Sequence, residues 1–141
     1  MAPAGGLLLL DEPGEPLGIY LRSVLTAAGA LGDGASGLVL PRLTGETVCQ
    51  VYAGICTQEP AQKVLAALLA GRPVWTPKEG LSDFGRGPLG RLAAERLWCL
   101  RHSGLVVCPL GELAAWATGG RERRYGAGPG AGVRLVYQKD R

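Results

Sequence analysis

Thr44 and Thr47 stand three residues apart at the head of the run "TGETVCQVYAGICT", with Gly45 between them and Gly54 beyond. Hydroxyls at that spacing have two chemical uses. Thr44 can accept the N–H near Thr47 and cap a short helix, or both hydroxyls, with the loop amides, can donate to a ligand laid across the turn. Glycine suits either use, because a flat ring system and a close helix crossing both exclude a Cβ. A second run, "DEPGEPLG" at residues 11–18, holds three carboxylates and two prolines; it offers few donors and repels a dianion. Further along, His102, the one histidine, follows Cys99 by three residues. On a helix that spacing can bring an imidazole beside a thiol for general-base activation, whereas a histidine closing a helix more simply meets the negative end of its dipole.

The four cysteines, Cys49, Cys56, Cys99 and Cys108, are separated by 6, 42 and 8 residues. No zinc-ribbon or redox C-x-x-C spacing is among these gaps, so no metal site is expected. Their apolar neighbours predict reduced, buried thiols acting as small hydrophobes. Net charge is +3, and the basic residues are scattered except for "GRERRYG" at residues 120–126. Without interleaved aromatics that run reads as a solvated turn, not a nucleic-acid site. Apolar residues make up 47% and charged residues 19%, and no stretch approaches the roughly 18 apolar residues of a membrane span. "GGLLLLDEP" is too short for a secretory leader and lacks a preceding positive charge. A single cytoplasmic domain over residues 1–141, without a membrane or nucleic-acid partner, is the expectation.

An alternation of buried strands and amphipathic helices must position these residues. Short apolar runs at residues 7–10, 37–41, 72–77, 104–110 and 133–138 predict strands. Between them, Leu17, Tyr20, Leu21, Val24, Leu25 and Ala28 recur at helical spacing after Pro16 and stop at Gly29. Ala61, Val64, Leu65, Leu68 and Leu69 do the same before Gly71, as do Leu89, Ala93, Leu97 and Leu100, and residues 111–118 predict a short helix. Residues 78–88 carry three glycines and read as a surface loop. Tyr52 and Trp75 are expected in the core, and Trp116 at a subunit contact. The predicted fold class is α/β: a three-layer, doubly wound, Rossmann-like (flavodoxin-like) parallel sheet of about five strands. Ligands of such sheets bind beyond the C-terminal strand ends, where Gly14 and residues 41–47 should share one rim.

Residues 41–80, "PRLTGETVCQVYAGICTQEPAQKVLAALLAGRPVWTPKEG", resemble a flavin-binding family that includes phosphopantothenoylcysteine decarboxylases, flavin prenyltransferases and the second subunit of dipicolinate synthase. In that family a strand ends in proline, a Ser/Thr-x-Asn-Thr loop opens a short helix, and a second helix ends in Ala-Leu-x-x-Gly-Lys-Pro-Val. Pro41, Thr44, Thr47, Gly54, Ile55, Leu68, Gly71, Pro73 and Val74 hold the pattern. The resemblance is nearest to flavoprotein-like members found beside ethanolamine-utilisation and other bacterial microcompartment proteins. It implies FMN as cofactor against Gly14, Pro41, Thr44, Gly45, Thr47 and Gly54, in a cleft between subunits of a homo-oligomer, with any chemistry belonging to the flavin. It also implies a microcompartment as a location.

The chain departs from that pattern at Glu46, a carboxylate where the family has an amide donor. Residues 11–18 replace a Gly-Ser loop that sets donors on the FMN phosphate. No Met-Asn clamp follows the third strand, Met1 being the only methionine, so decarboxylase residues are not implied and no catalytic residue is assigned. Three functions follow from the resemblance: an FMN-binding protein, a member that has lost the nucleotide and serves assembly or partner binding, or a non-oxidative subunit of a hetero-oligomeric synthase.

Overall fold

A computed structural model describes residues 6–120 of the chain. In chain order the elements are β1 (Leu7–Leu9), α1 (Pro16–Ala27), β2 (Gly37–Val39), β3 (Leu43–Thr44), α2 (Gly45–Ala53), α3 (Glu59–Leu69), β4 (Val74–Pro77), β5 (Leu81–Ser82), α4 (Gly87–Arg101), β6 (Leu105–Cys108) and α5 (Leu110–Ala115). The fold is mixed α/β. β1, β2, β4 and β6 lie side by side in that order, every pair parallel, and β3 and β5 form a separate two-stranded parallel pair.

Strand alternation divides the core. Side chains of a strand point to opposite faces in turn, so Leu7, Leu9, Val39, Trp75 and Cys108 cluster with Leu21 and Leu25 of α1 and Leu113 of α5. The intervening Leu38, Leu40, Val74 and Leu105 cluster instead with Val48 and Val51 of α2, Ala61, Val64 and Ala67 of α3, and Leu100 of α4. Buried on both faces, the strands need no polar alternation, which is why they read as continuous apolar runs. Each Leu or Val taken fully from water contributes about 1.5–3 kcal/mol. The hydroxyl of Thr76, fully buried, donates to the Leu40 carbonyl at 2.7 Å and fastens β4 to the end of β2.

Helix ends follow local chemistry. Pro16 occupies the first turn of α1, where the missing N–H costs nothing, and α3 and α4 likewise carry a proline at their starts. After α1 the chain returns to the outer side of β1, where Leu31 makes a single parallel bridge to Leu7. Gly34 and Ser36 then donate to the Gly6 carbonyl as the chain crosses toward β2.

Two expectations need correction. Residues 78–88 are not a plain surface loop: a 3₁₀ turn at Lys78–Gly80 leads into β5, because Leu81 pairs beside Leu43 and packs on the α2–α4 core. Tyr52 is not buried; it is 46% exposed, with the Arg96 guanidinium 4.2 Å above its ring, a contact that satisfies both groups at the surface. Trp75 is in the core and Trp116 is half-buried against the α1–α5 face. The apolar run at 133–138 and the basic run beyond residue 120 lie outside the described residues.

Leu113→Ala removes a fully buried side chain and is expected to cost about 2–5 kcal/mol in urea unfolding. Leu69→Ala, at a site 79% exposed, should stay within about 0.5 kcal/mol of the parent.

Candidate functional site

The C-terminal ends of β1 and β2 lie side by side, and the loops leaving them go to opposite faces of the sheet. Across the gap, Glu15 and Arg42 form a two-pronged pair. Arg42 Nε donates to Glu15 Oε1 and Nη2 to Oε2, each at 3.0 Å. The same Oε2 accepts the Leu17 N–H at 3.1 Å, so Glu15 is also the N-cap of α1. Below it, Arg22 Nε and Nη2 hold the two Asp11 oxygens at 2.8 Å each. The Arg42 guanidinium beside Glu15, then the Leu17 amide, hold that carboxyl below its ordinary range; the Arg22 hydrogen bonds do the same for Asp11. Arg22 and Arg42 are held above their ordinary values by these same partners.

The threonine loop stands next along this rim. Pro41 is buried just beyond β2, and its carbonyl lies where a Cβ on Gly80 would have to be, so the segment after β2 and the 3₁₀ turn after β4 touch backbone to backbone. Thr44 caps α2: its Oγ1 accepts the Thr47 N–H at 3.1 Å and donates to Thr47 Oγ1 at 3.2 Å. Gly45 opens the helix against a neighbour, since a Cβ there would meet the Asp83 carbonyl oxygen at 2.8 Å. Beside it an open cleft of about 800 Å³ runs between the first turns of α2 and α4, with Leu81 and Phe84 as apolar wall and Glu46, Asp83 and Arg86 as charged groups. Asp83 adopts φ 70°, an uncommon backbone for a non-glycine residue.

Gly14, Pro41, Thr44, Gly45 and Thr47 are thus brought to one edge. Gly54 is not among them. It sits at the far end of the nine-residue α2 as a left-handed C-cap, φ 77°, its glycine explained by that turn. Gly14, φ 82°, likewise has a turn to make, and its Cβ position faces open space. The Thr44 hydroxyl is engaged by its own helix, the first of its two sequence-level uses.

The expectation of buried cysteines holds for Cys108 alone. Burial, with Glu112 and Glu79 adding repulsion, pushes its thiol up to about 12, so it stays protonated. Cys49 and Cys56 are half-buried and Cys99 is exposed: Cys49 and Cys99 stand on helices covered on one side only, and Cys56 lies in the connection between α2 and α3 with its thiol 3.6 Å from the Gln50 carbonyl. His102 closes α4, its N–H donating to the Cys99 carbonyl at 3.1 Å, and its ring packs edge-on to Trp98 at 5.3 Å. Among the described residues no group of three or more His, Cys, Asp or Glu is placed to hold a metal, and no helix is long and apolar enough to cross a membrane.

Arg22, Arg42, Asp83, Phe84 and Arg86 are the rim residues that sequence reasoning missed. A signal existed for Arg42: it directly follows the strand-ending Pro41, and the loop of the neighbouring strand is rich in carboxylates. No family model, curated protein or solved structure matches the chain.

Both lowered carboxyls stabilise the fold while ionised. That contribution is present above the unfolded range near pH 4 and is lost as pH falls through the folded values. Arg42→Ala removes Glu15's share, so urea midpoints of parent and variant should differ slightly at pH 7 and converge below about pH 4.

Proposed function

We propose that the chain is a three-layer, doubly wound, Rossmann-like domain of the flavoprotein kind that has given up its nucleotide and works by binding, as an assembly or partner protein. The fold reading is supported by α1 and α5 packing on one face of the sheet and α2, α3 and α4 on the other. With Leu31 counted as the remnant of an outer strand, the strand order is the flavodoxin-like one, whose switch point lies between β1 and β2.

Ligands of that architecture set an anionic phosphate at the N-terminus of the helix after β1. One observation carries the functional reading: that position is filled by Glu15, which takes the Leu17 N–H and the Arg42 fork together. A carboxylate there repels a phosphate at close range, and Glu12 adds charge of the same sign. The residues of this loop do not fit an FMN phosphate, and no step through a flavin is derived.

A second reading, FMN binding, is favoured by the cleft beside Gly45. Its volume of about 800 Å³ lies in the range of small-molecule sites, and Phe84 offers a flat apolar wall. Glu46 and Asp83 weigh against an anion in it.

Purified protein is expected to be colourless at the flavin bands and to leave added FMN unbound in equilibrium dialysis; stoichiometric flavin absorbance would establish the second reading instead. Thr44→Ala should lower stability by about 1 kcal/mol, the cost of a lost helix cap, with no spectral counterpart.

A further inference from the structure

We propose that the cleft between α2 and α4 is a two-fold self-association surface, in which Leu89 of each copy of the chain enters the cleft of the other. This rests on the partner-binding reading and deepens it by making the partner a second copy. Leu89, in the first turn of α4, is 78% exposed. It stands on the lip of the cleft, with the half-buried Leu92, Leu81 and Phe84 behind it. Leu92 follows by three residues and so shares its helix face, which makes Leu89 part of a continuous apolar surface instead of a solitary exposed side chain. Surfaces of that kind mark association sites. One helical turn beyond Cys49 and Leu92, the stack of Arg96 on Tyr52, 4.2 Å from guanidinium to ring centre, spans from α4 to α2 and bounds the groove.

A knob beside a hole is half of an isologous interface, and the charges supply the other half. Under a two-fold axis, residue i of one copy meets residue j of the other and j meets i, so one patch must carry both members of every pair. This patch does. Arg86, the residue that precedes α4, sits three positions ahead of Leu89, while Glu46 and Asp83 line the cleft that Leu89 enters. All three charged side chains are exposed. Arg86 and Asp83 form no ion pair among the described residues, and Glu46 accepts from Gln58 Nε2 at the long distance of 3.4 Å. As Leu89 enters, Arg86 carries to the facing cleft a charge that complements its acidic wall, and the second copy returns the same contact. A small anion meets repulsion from Glu46 and Asp83, whereas a second copy answers both signs at once.

Sedimentation equilibrium of the full chain should give twice the chain mass. Leu89→Asp, at an exposed site where the circular dichroism should not change, should raise the dissociation constant about tenfold or more. Arg86→Glu and Glu46→Lys should each weaken the dimer, because like charges then face each other twice. Mixed one to one, these two variants regain both attractive contacts, and their heterodimer should match the parent in affinity. Iodoacetamide should modify Cys49, inside the cleft, more slowly in the parent than in Leu89→Asp. A parent that stays monomeric up to about 1 mM, a dimer indifferent to Leu89→Asp, equal Cys49 rates in the two proteins, or charge variants whose mixture regains nothing overturns the proposal. A chain that retains stoichiometric flavin and still passes these tests defeats the nucleotide-free reading and upholds the interface; a colourless monomer does the reverse.

Discussion

Everything in this molecule is arranged around β2, three residues buried on every side between β1 and β4. Its alternation decides which side chains meet which helices. Leu38 faces the α2–α4 core while Val39 faces the α1–α5 core, and a slip of one residue would turn every apolar group to the wrong side. The Thr76 hydroxyl fixes the same strand from β4, so the register is held by both apolar matching and a buried polar bond. Because β2 is set against β1, the two loops leaving them are neighbours, and the meeting of Glu15 with Arg42 is a consequence of that adjacency.

The strands and long helices were legible because their chemistry is local. Four apolar runs became β1, β2, β4 and β6, and the period of Leu21 and Leu25, or of Ala61 and Val64, marked the buried faces of α1 and α3. What was not legible depended on pairing at a distance. Leu81 looks like a loop residue until it lies beside Leu43, and Tyr52 looks like a core aromatic until α2 proves to be covered on one side only. Cys49 and Cys99 failed for the same reason: apolar neighbours in sequence describe the helix, not the side of it on which a thiol stands.

The candidate site shows the same division. Sequence placed Gly14 and the Thr44 loop at one edge, since parallel strands deliver their βα turns together. It could not say that both loops would be satisfied internally. Thr44 spends its hydroxyl on α2 and Glu15 spends its carboxylate on α1, and each is a helix cap with ordinary geometry. Charge pattern rather than motif was the better guide, because an arginine following one strand and carboxylates following its neighbour have few other partners once the strands are adjacent.

Trp75 has a consequence of its own. Its indole is 7% exposed and its Nε1–H meets no acceptor among the described residues, an arrangement that leaves a donor desolvated without return. An indole so enclosed and unbonded emits light at the blue end of its range. Trp98 is half-buried on α4, with the His102 ring at its edge and the Arg101 guanidinium over its face. Emission from Trp75, with that of the half-buried Trp116 packed on the same cluster, therefore reports on whether the sheet and α5 remain closed over each other.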